Sequence, residues 1–124
     1  MKKTFWIGLA TIALLAVIIY FIAGSSSSKY DGFAQCTADS GAKMYGAYWC
    51  PHCQEQKKLF GSSWNLVSYV ECATPGSNEQ TQECNAAGVK SYPTWIFGDG
   101  KQLSGVLSLD QLSTFTGCDL PREE

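Results

Sequence analysis

Residues 5–23 form an apolar run without a single charge, interrupted only by the small residues Gly8 and Thr11, and Lys2 and Lys3 stand just ahead of it. As a helix rising 1.5 Å per residue the run spans about 28 Å, close to the hydrocarbon thickness of a bilayer. Of the 124 residues, roughly 95 are left to fold, which is one domain with one core. The lysines predict a cytoplasmic N-terminus, so the chain beyond the run is exported. A cleaved signal has a shorter apolar region, about 7 to 15 residues. Ala23-Gly24-Ser25 offers small residues for a cut, but Phe21 and Ile22 spoil most cleavage registers. Residues 1–23 are therefore read as an uncleaved single-pass anchor in an inner or plasma membrane, with the remainder in the periplasm or its equivalent. The flanking lysines and serines argue against a buried core helix.

Export gives the six cysteines their meaning, because thiols pair outside the cytosol and are held reduced within it. A domain this small buries a modest fraction of its surface and gains from crosslinks. With Lys2, Lys3 and Lys29 set aside, six basic residues face eleven acidic ones, and no basic patch suggests nucleic acid. Residues 24–29, glycine followed by four serines and a lysine, read as a short flexible linker. Residues 30–120 are the expected domain and 121–124 a frayed charged tail.

Along the domain, residues 31–40 suit a short helix ending near Gly41, and the aromatic-rich residues 43–48 a buried strand. After Pro51, residues 52–60 turn helical, with Cys53, Gln56, Leu59 and Phe60 on one side and Glu55, Lys57 and Lys58 in water. Residues 68–72 alternate as a second strand, residues 74–78 turn, and residues 78–87 read as a helix stopping at Gly88. A third strand covers residues 92–97, and Gly98-Asp99-Gly100 leads to a weaker fourth around residues 102–106. Ser108-Leu109-Asp110-Gln111 resembles a capping box opening a last helix that ends at Gly117, with Leu109, Leu112 and Phe115 on one face. Trp64, Trp95 and Phe97 are expected in the core.

Chemistry concentrates at Trp49-Cys50-Pro51-His52-Cys53. A Cys-X-X-Cys pair can be a redox disulfide, half of a zinc site or a local crosslink. Zinc would need a second closely spaced pair; Cys72 and Cys84 are far apart, and the sole histidine, His52, lies inside the motif. A purely structural bridge closes a short loop with little entropic benefit. Redox chemistry fits best, with no metal and no cofactor beyond the pair itself. Pro51 suits a first helical turn, whose N–H groups and macrodipole favour a thiolate at Cys50. Cys53, one turn inward, is placed to resolve a mixed disulfide. His52 is expected to lower the acidity constant of Cys50 and stabilise the reduced pair, making its disulfide a stronger oxidant.

The strand, this motif, the helix and the later Tyr92-Pro93-Thr94 resemble the thioredoxin superfamily, and Cys-Pro-His-Cys resembles the motif of the periplasmic oxidant DsbA. Residues 33–118, including Tyr45-Gly46-Ala47, Tyr69-Val70-Glu71-Cys72, Ser91 to Trp95 and Thr116-Gly117-Cys118, are similar to the thioredoxin-like domain fused to bacterial and plant homologues of vitamin K epoxide reductase. The resemblance implies an α/β, thioredoxin-like fold: a mixed sheet of about four strands flanked by helices, behind the N-terminal anchor. It implies Cys50 as the exposed nucleophile, Cys53 as its resolving partner, Pro93 as a cis-proline, and Tyr92 as a backbone partner for a substrate strand. It also implies disulfides Cys72–Cys84 and Cys36–Cys118, which spacing alone does not select. Trp49 borders the active-site surface and is a candidate substrate contact, with Pro51 beside it. One departure is Met44, which stands where thioredoxin has a buried aspartate.

These readings converge on a membrane-anchored thiol-disulfide oxidoreductase of DsbA-like direction. Its expected partners are exported cysteine-containing proteins and a membrane-embedded vitamin K epoxide reductase homologue or similar quinone-linked oxidase. A reductase or isomerase of the same fold, or a noncatalytic tethered binding domain stapled by disulfides, are the alternatives.

Overall fold

The computed structural model describes residues 1–24 and 27–122. The linker reading at Ser25 and Ser26 and the tail reading at Glu123 and Glu124 lie outside the described residues. Helix α1 (Lys2–Ala23) buries none of its side chains and is long and apolar enough to cross a membrane. The domain continues as α2 (Asp31–Asp39), β1 (Lys43–Gly46), α3 (Pro51–Phe60), a 3₁₀ segment (Gly61–Leu66), β2 (Tyr69–Glu71), α4 (Gln82–Ala86), β3 (Thr94–Ile96), β4 (Gln102–Ser104) and α5 (Leu109–Thr116).

The four strands form one mixed sheet in the order β2-β1-β3-β4. Strand β1 runs parallel to β2, with Tyr45 opposite Val70, and antiparallel to β3, with Met44 opposite Trp95. A parallel pair needs a crossover, which α3 and the 3₁₀ segment supply. Because side chains alternate along a strand, Met44 and Trp95 enter the large core on one face, whereas Tyr45 and Ile96 join a smaller cluster on the other. The large core takes Phe33 from α2, Phe60 from α3 and Leu112 from α5, with Phe60 stacked on Phe33 at 5.8 Å between ring centroids. The smaller cluster takes Cys84 from α4. Helices α2, α3 and α5 thus cover one face and α4 the other.

Two disulfides close the domain, Cys36–Cys118 between α2 and the segment after α5, and Cys72–Cys84 between the end of β2 and α4. Gln56, fully buried on α3, is the polar hub of the large core. Its side-chain oxygen accepts from the Trp95 indole N–H at 3.1 Å and from the Leu107 N–H at 2.8 Å, while its amide donates to the Leu107 carbonyl at 2.9 Å. Each of these buried polar groups is thereby satisfied.

Several expectations from the sequence change. The helix read over residues 78–87 begins only at Gln82. Thr81 caps it, its side chain accepting from the Cys84 N–H, and the bridge between Ala73 and Gln80 draws the preceding residues into an extended path. The fourth strand stops at Ser104 because Gly105 adopts φ 98°, and the first stops at Gly46, ahead of the turn that leads into α3. On α3 the buried face is Cys53, Gln56 and Phe60; Leu59 lies to its side, 37% exposed, and lines a hollow with Leu109 and Leu120. Phe115 is likewise exposed, against Phe97 at 5.3 Å. Lys57 is half-buried instead of solvated, lying over the rings of Tyr69 and Trp64. The capping box is present, with Ser108 and Gln111 each accepting from the other's backbone N–H.

The hub predicts the cost of its loss. Gln56→Leu strands the Trp95 indole N–H and both backbone groups of Leu107, and is expected to lower stability by about 2–4 kcal/mol in urea denaturation of the detergent-solubilised chain.

Candidate functional site

Cys50 is the N-cap of α3, with φ −77° and ψ 119°, and Pro51 fills the first helical position, where a missing N–H leaves no bond unmade. The Cys50 sulfur accepts from the Cys53 N–H at 3.3 Å, one of the orphan donors of the first turn. On its other side it lies 3.8 Å from the carbonyl oxygen of Tyr92, in contact range for a thiol donor. The Tyr92–Pro93 peptide is cis. Neither Cys50 nor Cys53 is bonded to another cysteine.

The turn that delivers Cys50 is fastened at both ends. The Cys50 N–H donates to the Ala47 carbonyl at 3.1 Å, and the Gln54 side chain donates to the Tyr48 carbonyl at 2.9 Å. The Glu71 carboxylate on β2 accepts from the N–H groups of Tyr48 at 3.1 Å and Ala73 at 3.0 Å, and from the Tyr69 hydroxyl at 2.7 Å. Sequence reasoning passed over Glu71, although its place two residues after Tyr69 puts both on the face that meets α3.

An exposed sulfur at Cys50 is the expectation the structure corrects. The residue is only 5% exposed, because its sulfur turns into the helix end that it caps and under the Tyr92 backbone. Cys53 is wholly buried. Burial, together with the hydrogen bond to Cys50, pushes its thiol up from the ordinary 9.0 to about 12, against smaller downward pulls from the Ala47 backbone and the Lys57 charge. Gly46 is what lets the sulfur sit there: a Cβ at that position would lie 2.8 Å from the Cys53 sulfur and 3.2 Å from the Tyr69 ring. A glycine inside a strand pattern was the sequence signal for this close approach.

His52 stands on the outer face of α3, its Nδ1 3.5 Å from the Glu55 carboxylate and both side chains largely exposed. Met44 is fully buried in the large core, so no carboxylate occupies that position. Trp49 is 60% exposed and packs edge-on against Tyr92 at 6.0 Å. These two rings, with Ala73 and residues 77–80, line a cleft of about 330 Å³. Gln80 stiffens its floor, accepting from the Tyr92 hydroxyl and donating to the Val89 carbonyl at 3.0 Å. Burial, and next the nearby Glu71 charge, hold the Tyr92 phenol above its usual range. Cys50, Cys53, Trp49, Tyr92 and Pro93 are thus brought together. The four other cysteines are paired as crosslinks, Cys72 among the residues lining the cleft, and among the described residues no cluster of metal-ligating side chains is present.

No family model matches the sequence. Over 101 residues, 77% of this chain, it is 44% identical to the thiol-disulfide oxidoreductase LTO1 of Arabidopsis thaliana. The match covers 27% of that protein, so the chain spans about a quarter of the length of this relative.

The burial of Cys53 has two measurable outcomes. Gly46→Ala forces the sulfur or the strand aside and is expected to lower thermal stability by about 1–3 kcal/mol. The raised thiol stabilises the reduced fold fully below pH 9.0, and this contribution is lost as the pH rises toward about 12, because the unfolded chain releases the proton first. Urea titrations should therefore show the dithiol protein losing stability relative to Cys53→Ala over that window.

Proposed function

We propose that this chain is a membrane-anchored, thioredoxin-like thiol-disulfide oxidoreductase that introduces disulfides into exported proteins, in the direction of DsbA. The observation that carries the reading is the unbonded Cys50 sulfur at a helix N-terminus, with a second thiol buried one turn inward and a backbone carbonyl opposite. The similarity to an Arabidopsis thiol-disulfide oxidoreductase supports it.

In the oxidised protein, a client thiolate attacks the Cys50 sulfur, the Cys50–Cys53 bond breaks, and Cys53 leaves as a thiolate that takes up a proton. A second client thiolate then attacks the client sulfur of the mixed disulfide and expels the Cys50 thiolate. The client has lost two electrons and the pair has gained them. Cys53 departs into a buried site that favours its protonated form, so it ends as a thiol, while the N-terminus of α3 favours negative charge at the sulfur that caps it, which stabilises the reduced pair and makes the disulfide oxidising. His52, when protonated, adds positive charge beside the same turn, tempered by Glu55. The client segment lies along the Tyr92–Pro93 backbone, with Trp49 lining the cleft and Pro51 next to Cys50 in the first turn of α3.

The length and apolarity of α1 support a single-pass anchor, and Lys2 and Lys3 ahead of the apolar run support a cytoplasmic N-terminus. The electrons pass on to a membrane-embedded vitamin K epoxide reductase homologue or a similar quinone-linked oxidase, which restores the disulfide.

The reduction potential of the pair tests the direction. A value nearer about −120 mV than about −270 mV, with the protein recovered from cells mostly as disulfide, is the expected result. A potential near the lower value with a resting dithiol assigns a reductase or isomerase instead. Cys53→Ala should accumulate mixed disulfides at Cys50 with exported proteins and a membrane oxidase; an absence of any trapped partner would sink the exchange role.

A further inference from the structure

Lys57 lies four residues after Cys53 on α3, so the two side chains share a face one turn apart. The residue is half-buried, and its ammonium is held over aromatic rings. It lies 4.2 Å from the centre of the Tyr69 ring and 5.7 Å from that of Trp64. The Tyr69 ring is itself fixed, its hydroxyl bonded to Glu71 at 2.7 Å, and its edge meets the same point beside Gly46 as the Cys53 sulfur. A cation is therefore held over the clamped ring whose edge meets the buried Cys53 sulfur, at a core whose corresponding strand position carries Met44 and no charge.

We infer that Lys57 is a positioning residue for the pair: its ammonium stabilises the negative charge that the Cys53 sulfur bears whenever the Cys50–Cys53 bond opens or closes. The inference rests on the reading of Cys50 and Cys53 as an exchanging pair. Other titratable groups face this site from each packed element: Cys50 from α3, Tyr69 and Glu71 from β2, and Tyr92 from the segment before β3. The Glu71 carboxylate is held by three donors, and His52 pairs with Glu55 on the outer face of the helix. Lys57 is the group whose charge draws the Cys53 thiol downward against its burial.

The reaction of the reduced protein with dithiobis(nitrobenzoate) separates the two sulfurs. The Cys50 thiolate attacks the reagent and releases one coloured thiolate. Cys53 then gives its proton to solvent and attacks the Cys50 sulfur; the mixed disulfide breaks and a second coloured thiolate leaves. The reagent gains the two electrons that the pair loses. In Lys57→Met the second phase is expected to slow about three- to tenfold, with its rate–pH line displaced to higher pH by about half to one unit and the first phase unchanged. Lys57→Gln should give the same displacement, and Lys57→Arg, which stacks on aromatic rings and keeps the charge, should restore the wild-type line. A second phase that is unchanged, or slowed equally with the first, or not rescued by arginine overturns the role of Lys57. Wild-type protein releasing a single coloured thiolate would instead overturn Cys53 as the resolving sulfur, and the role of Lys57 with it.

Discussion

Helix α3 can lie against strand β1 as closely as it does because Gly46 has no side chain. The Cys53 sulfur fills that space, and the rest of the site depends on its position. With Cys53 seated, the first turn of α3 is fixed, Cys50 becomes the N-cap, and its sulfur faces the Tyr92 carbonyl. A larger residue at Gly46 would move all three. The contact thus ties a packing requirement of the strand to the electronic setting of the sulfur at the helix end.

The surroundings hold this arrangement by means that do not depend on the thiols. Gln56 joins α3 to β3 and to the segment before α5 through satisfied buried hydrogen bonds, and Phe60 continues the same helix face into the aromatic core. On the outer side, Glu71 fastens the turn before Trp49 to β2, and the loop after β2 is pinned by Cys72–Cys84 and by Gln80. The frame around the two thiols is thus held by bonds in which neither sulfur takes part.

Much of this was legible in the sequence because the signals were local. Alternation marked the second strand and aromatic content the first, Pro51 and Ser108 marked helix starts, and the resemblance carried by Cys-Pro-His-Cys and the later Tyr-Pro implied where sulfur and backbone would meet. What could not be read depends on contacts between distant residues. Lys57 and Leu59 both sit on the flank of α3, and helical periodicity cannot tell which one β2 will cover. Glu71 is an unremarked strand acid until Tyr48 is brought to it across 23 positions. The late start of α4 was likewise decided by the Ala73–Gln80 bridge, a tertiary choice overriding a helical composition.

The Cys36–Cys118 bond encloses nearly the whole domain in one covalent ring, from the helix that succeeds the linker to the segment after the last helix. Any single backbone cut between those two positions leaves both fragments joined. Tension applied between the two ends of the chain enters α2 and passes through this bond to the segment after α5 without crossing the sheet. The ring therefore acts as a mechanical bypass, keeping a pull on the chain ends or a proteolytic nick from separating the strands that hold Cys50 and Cys53.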